Sequence, residues 1–139
     1  PRFFPPLEAW SENELHEKYP LILNSERPRF RVHTQWFASS WMRQLEPDPT
    51  VKMNPEDAEA RGLKNDDWVE VYNDRGHVVV KLVVSSGIRK GMAVYAKGWQ
   101  AYQHKAGCWS ELLSREYDPA GINGNFMDNL CEIRLWEEE

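Results

Sequence analysis

The segment Asn24-Ser25-Glu26-Arg27-Pro28-Arg29-Phe30-Arg31-Val32-His33-Thr34-Gln35 concentrates reactive side chains as no other stretch of this sequence does. Arg27, Arg29 and Arg31 bring guanidinium groups, His33 an imidazole, Thr34 a hydroxyl and Gln35 an amide. Guanidinium forks match phosphate oxygens and stack on flat rings. A hydroxyl and an amide each offer a donor and an acceptor to the polar edge of a heterocycle. The set suits a large, flat, anionic ligand. It suits a solvated basic loop equally well, and side-chain chemistry alone does not choose between them. A second candidate is Lys97-Gly98-Trp99-Gln100. Glycine lets backbone approach a ligand closely, and the indole offers a stacking face. A strand end packed by a core tryptophan explains those residues more simply.

Other chemistries find little support. No nucleophile elbow, phosphate-binding loop or dinucleotide fingerprint is present. The acids Asp48, Glu56, Asp57, Asp66 and Asp67 fall at turns and a helix start, where solvation or capping accounts for them. His16, His77 and His104 stand isolated and are expected at the surface. Cys108 and Cys131 form no zinc spacing, and the reduced state is the default reading. The net charge of -5 argues against nucleic acid, and no run is apolar enough to span a membrane.

The elements that must position these residues are mostly short strands. Tyr19–Asn24 is an apolar strand that feeds the basic segment. Val51–Met53 is a brief strand. Asn54 caps a helix with Pro55 at its first position and acids in its first turn, and Gly62 ends it. Asp67–Asn73 alternates, with Trp68, Glu70 and Tyr72 on one face and Val69 and Val71 on the other. It pairs with His77–Val84 through a hairpin longer than the tightest type, with Gly76 as its left-handed residue. Met92–Ala96 and Leu130–Trp136 complete the strands, and Trp109–Ser114 has helical character. The chain is 139 residues long, which implies one domain. Residues 1–18 read as an extended arm from a preceding domain, with a capping-box pattern at Ser11 and Glu14, and residues 19–139 as the barrel domain. Pro1 in place of a starting Met suggests a piece of a longer chain.

The ordered series then becomes familiar. Tyr19-Pro20-Leu21-Ile22-Leu23, Arg27 and Arg31-Val32-His33-Thr34-Gln35 resemble the opening of the molybdopterin-dinucleotide-binding domain of the dimethyl sulfoxide reductase family. Met53-Asn54-Pro55, Asp57-Ala58, Gly62-Leu63, Asp66-Asp67-Trp68-Val69, Asn73-Asp74-Arg75-Gly76, Gly91-Met92 and Gly98-Trp99 continue the series at similar spacings. The resemblance implies a mainly β fold, a double-psi β-barrel with one or two short helices. It implies bis(molybdopterin guanine dinucleotide) with molybdenum or tungsten, bound by the C-terminal domain of an oxidoreductase that works by redox or oxygen-atom transfer. Cofactor contact carries over to Asn24, Arg27, His33, Thr34, Gln35, Gly98 and Trp99. No metal ligand and no catalytic residue carries over. Asn54, Pro55, Asp57, Arg75 and Gly76 are read as structural.

Two departures stand out. The Lys64–Asp67 turn lacks the usual Gly and is expected to place Asn65 or Asp66 in the left-handed region. Glu111 stands where the family has a cofactor-contacting Asn, and Asn123 or Asn125 is a substitute. The resemblance further implies preceding domains of the same enzyme as partners, an iron–sulfur cluster in that other part or an iron–sulfur electron-transfer subunit, and anaerobic respiration in a prokaryotic cytoplasm or periplasm. On this reading the chain is not active alone. The alternatives are a free-standing double-psi barrel that binds a protein through the Trp36–Trp41 stretch, and a small cofactor-binding subunit.

Overall fold

Alternating valines build the wall of this protein. Val69 and Val71 are buried on one face of their strand, and Val78, Val80 and Leu82 meet them from the next. In the computed structural model the described residues are 3–117, 121 and 124–138. Among them, six strands run in chain order: β1 (Leu21–Glu26), β2 (Thr50–Met53), β3 (Trp68–Asn73), β4 (Gly76–Val84), β5 (Met92–Ala96) and β6 (Leu130–Leu135). They close into one barrel in the order β1-β5-β2-β4-β3-β6. Two pairings are parallel, β1 with β5 and β2 with β4, and the other four are antiparallel. The mainly β, closed-barrel expectation therefore holds. Inside, Leu21, Leu23, Met53, Tyr95 and Ile133 are at most 2% exposed.

Among the described residues three short helices stand where one or two were expected: α1 (Leu15–Lys18), α2 (Ser40–Leu45) and α3 (Pro55–Glu59). α3 forms as its sequence dictates. Asn54 Oδ1 accepts from Glu56 N at 2.9 Å, Pro55 starts the helix, and Gly62 follows at φ 67°. Asp57 does more than start a helix, because its Oδ2 accepts from Gly91 N at 2.7 Å and ties α3 to the entry of β5. Asp66, at φ 70°, is the left-handed residue of its turn, as expected. The Ser11 capping box does not form. Glu14 occupies the N-cap position of α1 without a side-chain hydrogen bond, and Asn13 Oδ1 accepts from Leu15 N at 2.9 Å instead.

The β3–β4 hairpin is tighter than expected. Asn73 pairs with Gly76, which leaves only Asp74 and Arg75 in the turn, and Gly76 is not left-handed. Gly76 is needed for space, since a Cβ there would lie 2.6 Å from Glu111 Cβ. Arg75 is a turn residue, as expected, and also the centre of a network. Its Nη1 and Nη2 meet Glu8 at 2.7 and 2.9 Å, and Nε donates to the Leu112 carbonyl at 2.9 Å. Asn73 Nδ2 donates to the Leu112 and Leu130 carbonyls, and Glu8 accepts from Leu130 N at 2.7 Å. Asp128 also accepts from the backbone N–H of Leu7, Glu8 and Ala9. The arm is thus strapped to the barrel.

His104 is buried rather than at the surface. Its Nε2 lies 2.7 Å from Tyr95 Oη, and Tyr95 stacks on Trp109 at 4.1 Å. Its Nδ1 is buried with no hydrogen-bond partner among the described residues. Burial holds the imidazole below its ordinary 6.5. Cys108 and Cys131 are both free.

Arg75→Ala should remove the guanidinium from the Glu8 carboxylate and the Leu112 carbonyl and lower the unfolding free energy by about 2 kcal/mol. Arg89→Ala, at an exposed turn, should stay within about 0.5 kcal/mol, and urea titration compares the two. A depressed histidine value gives stability that is present above the unfolded pKa and is lost as pH falls through the folded one. Wild type should therefore lose more stability than His104→Phe between about pH 7 and about pH 5. Parallel curves would refute the assignment.

Candidate functional site

Following the registers around the wall puts the C-terminal ends of β1, β3 and β5 at one rim, with the N-terminal ends of β2, β4 and β6. The two candidate segments both leave from that rim. β1 and β5 run parallel, with Glu26 opposite Ala96, and Lys97 N donates to the Glu26 carbonyl at 3.1 Å. The loop after β1 carries Arg27, His33, Thr34 and Gln35, and the loop after β5 carries Gly98 and Trp99. Residues far apart in sequence are thereby made neighbours.

The first loop closes on itself. Gln35 N donates to the Val32 carbonyl at 2.9 Å across the turn His33-Thr34. His33 sits at φ 51° and Trp36 at φ 68°, both left-handed without being glycine. A tryptophan in that region is held by its surroundings rather than by its own preference. Gly98 explains part of the hold. Its φ is 106°, and a Cβ there would overlap the His33 carbonyl oxygen. The expected close backbone approach at Gly98 is real, and its partner is the other loop.

Arg27, His33, Thr34 and Gln35 are exposed, and their side chains make no hydrogen bond or ion pair among the described residues. Glu26, the acid in this stretch, is paired with Lys52 at 2.6 Å and does not neutralise Arg27. Asn24 lies on β1, where its Oδ1 accepts from Ser25 N at 2.8 Å. Six of the seven predicted contact residues therefore share one rim, and Asn24 stands two residues inside it.

Arg31 departs from the expectation that three arginines face a ligand. It is 5% exposed, its Nε donates to Glu46 at 2.9 Å, and its guanidinium lies 3.8 Å from the Trp99 ring centre. Trp99 thus has one face covered by the protein, while its Nε1 is buried with no hydrogen-bond partner among the described residues. Arg31, Glu46, Thr50, Lys81, Ala96 and Trp99 line a cavity of about 230 Å³ at this rim.

The substitutes for the missing Asn differ in what can be said. Asn123 lies outside the described residues. Asn125 lines a cleft of about 640 Å³ between the arm and residues 124–128, and its Nδ2 is buried without a hydrogen-bond partner among the described residues. Met127 brings the same loop to β1, with its Sδ 3.5 Å from Ser25 Oγ. Glu111, at the position where Asn was expected, packs against Gly76.

Residues 21–130 match the family model described as the molydopterin dinucleotide binding domain. A dimethyl sulfoxide reductase catalytic chain assigned in Halobacterium salinarum is 33% identical over 136 residues. The match covers 96% of this chain and 16% of that relative. Trimethylamine-N-oxide reductase 1 of Escherichia coli is 39% identical over 101 residues, or 70% of this chain and 12% of the reductase. Among solved structures, acetylene hydratase from Pelobacter acetylenicus aligns with a TM-score of 0.85 at 22% identity, over 98% of this chain and 21% of that one. That structural likeness establishes the barrel fold. The chain spans less than a fifth of the length of either curated relative.

Gly98→Ala should clash with the His33 carbonyl and strain a left-handed backbone, and should cost about 2 kcal/mol or more. Gly87→Ala, with no positive φ and ordinary contacts, is the control. Thermal unfolding and the rate of tryptic cleavage after the exposed Arg29 read out the effect. A Gly98→Ala variant with both unchanged would mean that the two loops do not touch.

Proposed function

The chain belongs to the molydopterin dinucleotide binding domain family, within the dimethyl sulfoxide reductase family, and from that premise we propose that its rim holds the cofactor of a larger molybdenum oxidoreductase. The observation that carries this reading is the set Arg27, His33, Thr34 and Gln35, exposed and without a protein partner among the described residues at one rim. Four polar side chains with open hydrogen-bonding capacity fit a ligand rich in phosphate and heterocycle edges.

The guanidinium of Arg27 would take a phosphate oxygen of the dinucleotide. Thr34 and Gln35 would read the polar edge of the pterin, with His33 and Asn24 adding donors or acceptors. The buried Trp99 N–H is a further donor that lacks an acceptor among the described residues. Gly98 contributes by holding the turn. When bound, the cofactor supplies the redox and oxygen-atom chemistry, and this chain binds, orients and partly desolvates it. The guanine nucleotide, the presence of two such pterins, and tungsten in place of molybdenum are finer points of the same reading.

The rest of the enzyme is the natural partner. Trp36 and Trp41 are each 59% exposed and Leu45 is 50% exposed, beside the cofactor turn. Large apolar groups at that level suit a protein contact, and the preceding domains of the same chain would cover them. An iron–sulfur cluster in that other part, a partner chain for electron transfer and a role in anaerobic respiration complete the proposed setting. Among the described residues no helix is long and apolar enough to cross a membrane.

Arg27→Ala and Gln35→Ala in the parent enzyme should each weaken cofactor retention about tenfold, the scale of one charge-assisted hydrogen bond. Molybdenum and pterin assays on purified enzyme read this directly. Wild-type content in both variants would sink the proposal.

A further inference from the structure

The loop that presents Thr34 and Gln35 is fastened at both of its ends to one indole ring. Arg31, just before the turn, lies 3.8 Å from the Trp99 ring centre. Phe37, just after it, meets Trp99 edge-on at 5.0 Å and 77°. The Arg31 guanidinium is also 4.9 Å from the Phe37 ring, which closes a three-membered cluster. Glu46 supplies the counter-charge at 2.9 Å. Between these fastenings lie His33 and Trp36, both left-handed. Histidine adopts that backbone more readily than most residues, but a bulky tryptophan does not, so the geometry at Trp36 is imposed from outside.

Arg31 differs from its neighbours in exposure. Arg27 and Arg29 are exposed, whereas Arg31 is 5% exposed with its charge already matched. A guanidinium so placed lies 3.8 Å over one ring centre and meets a carboxylate through its Nε. That use depends on its planarity, which an ammonium lacks.

We propose that Arg31 is a positioning residue which, through Trp99 and Phe37, holds the His33–Gln35 turn in its cofactor-accepting form and does not itself bind phosphate. The inference rests on the cofactor-binding reading above. It reassigns Trp99 as well. The ring serves Arg31 and Phe37 first, and its buried N–H is the polar group it leaves without a partner among the described residues.

The test is cofactor release from the full-length holoenzyme, followed as pterin appearing in solution. Arg31→Ala and Trp99→Leu should each speed release about tenfold or more, and the double variant should be no faster than either single one. That non-additivity marks two residues acting as one unit. Arg31→Lys separates positioning from ligation and retains the charge if the Ala variant fails to fold. A lysine remains a competent phosphate binder but cannot stack as a plane. Fast release from Arg31→Lys, with its thermal unfolding within a few degrees of wild type, supports the proposal. Wild-type release from Arg31→Lys, or additive effects in the double variant, overturns it. A wild-type enzyme without pterin would defeat the cofactor-binding reading itself, which is a different failure.

Discussion

Everything at the rim depends on β1 lying parallel to β5. Parallel neighbours cannot be joined by a tight turn, so the chain must travel through β2, α3, β3 and β4 before it returns. The reward is that both strands end on the same side. Five paired positions, from Ile22 opposite Met92 to Glu26 opposite Ala96, fix the register. Leu21, Leu23, Ala93 and Tyr95 lock it from inside, because a slip of one residue would turn them outward. With that register Gly98 reaches the His33 carbonyl and Trp99 reaches Arg31. The site is a consequence of where two strands stop.

Arginine has two roles in this protein. Arg75 and Arg31 are structural centres, each matched by a carboxylate and by a second kind of partner, carbonyls for one and aromatic rings for the other. Arg27 and Arg29 face outward. A guanidinium taken out of water is stable only when its fork and its faces are both matched. Arg31 meets that demand and so sets the shape of the rim, while Arg75, partly in water, ties the arm to the barrel. Arg27 is left to meet an anion from outside the protein.

The contrast with what the residues announced has a physical cause. Local chemistry was legible: the Asn54-Pro55 helix start, the left-handed Asp66 and the bounds of β5. Each is decided within a few residues of itself. His104 was misread, and the full roles of Arg75, Gly76 and Arg31 were missed, because their partners lie outside their own segments: Tyr95, Glu8, Glu111 and Trp99. Residue type says what a side chain can offer, and only the fold says which offers are already taken. The seven predicted contact residues came from the ordered family series, and six of them share the rim because of the β1–β5 pairing.

The strap between the arm and the barrel has a consequence for how the chain reaches this form. Glu8 accepts from Leu130 N across 122 positions, and Leu130 opens β6, which must pair with both β1 and β3 to close the wall. On a ribosome the acid of the arm waits for the last strand. Contacts of such sequence separation are slow to form, because loop closure must precede any gain from pairing. Until β6 arrives, β1 and β3 present bare edges, the kind of surface on which nascent chains stick to one another. Residues 130–135 therefore close this barrel in time as well as in space, and a nascent barrel lacking them has bare edges at β1 and β3 and lacks the Glu8–Leu130 tie.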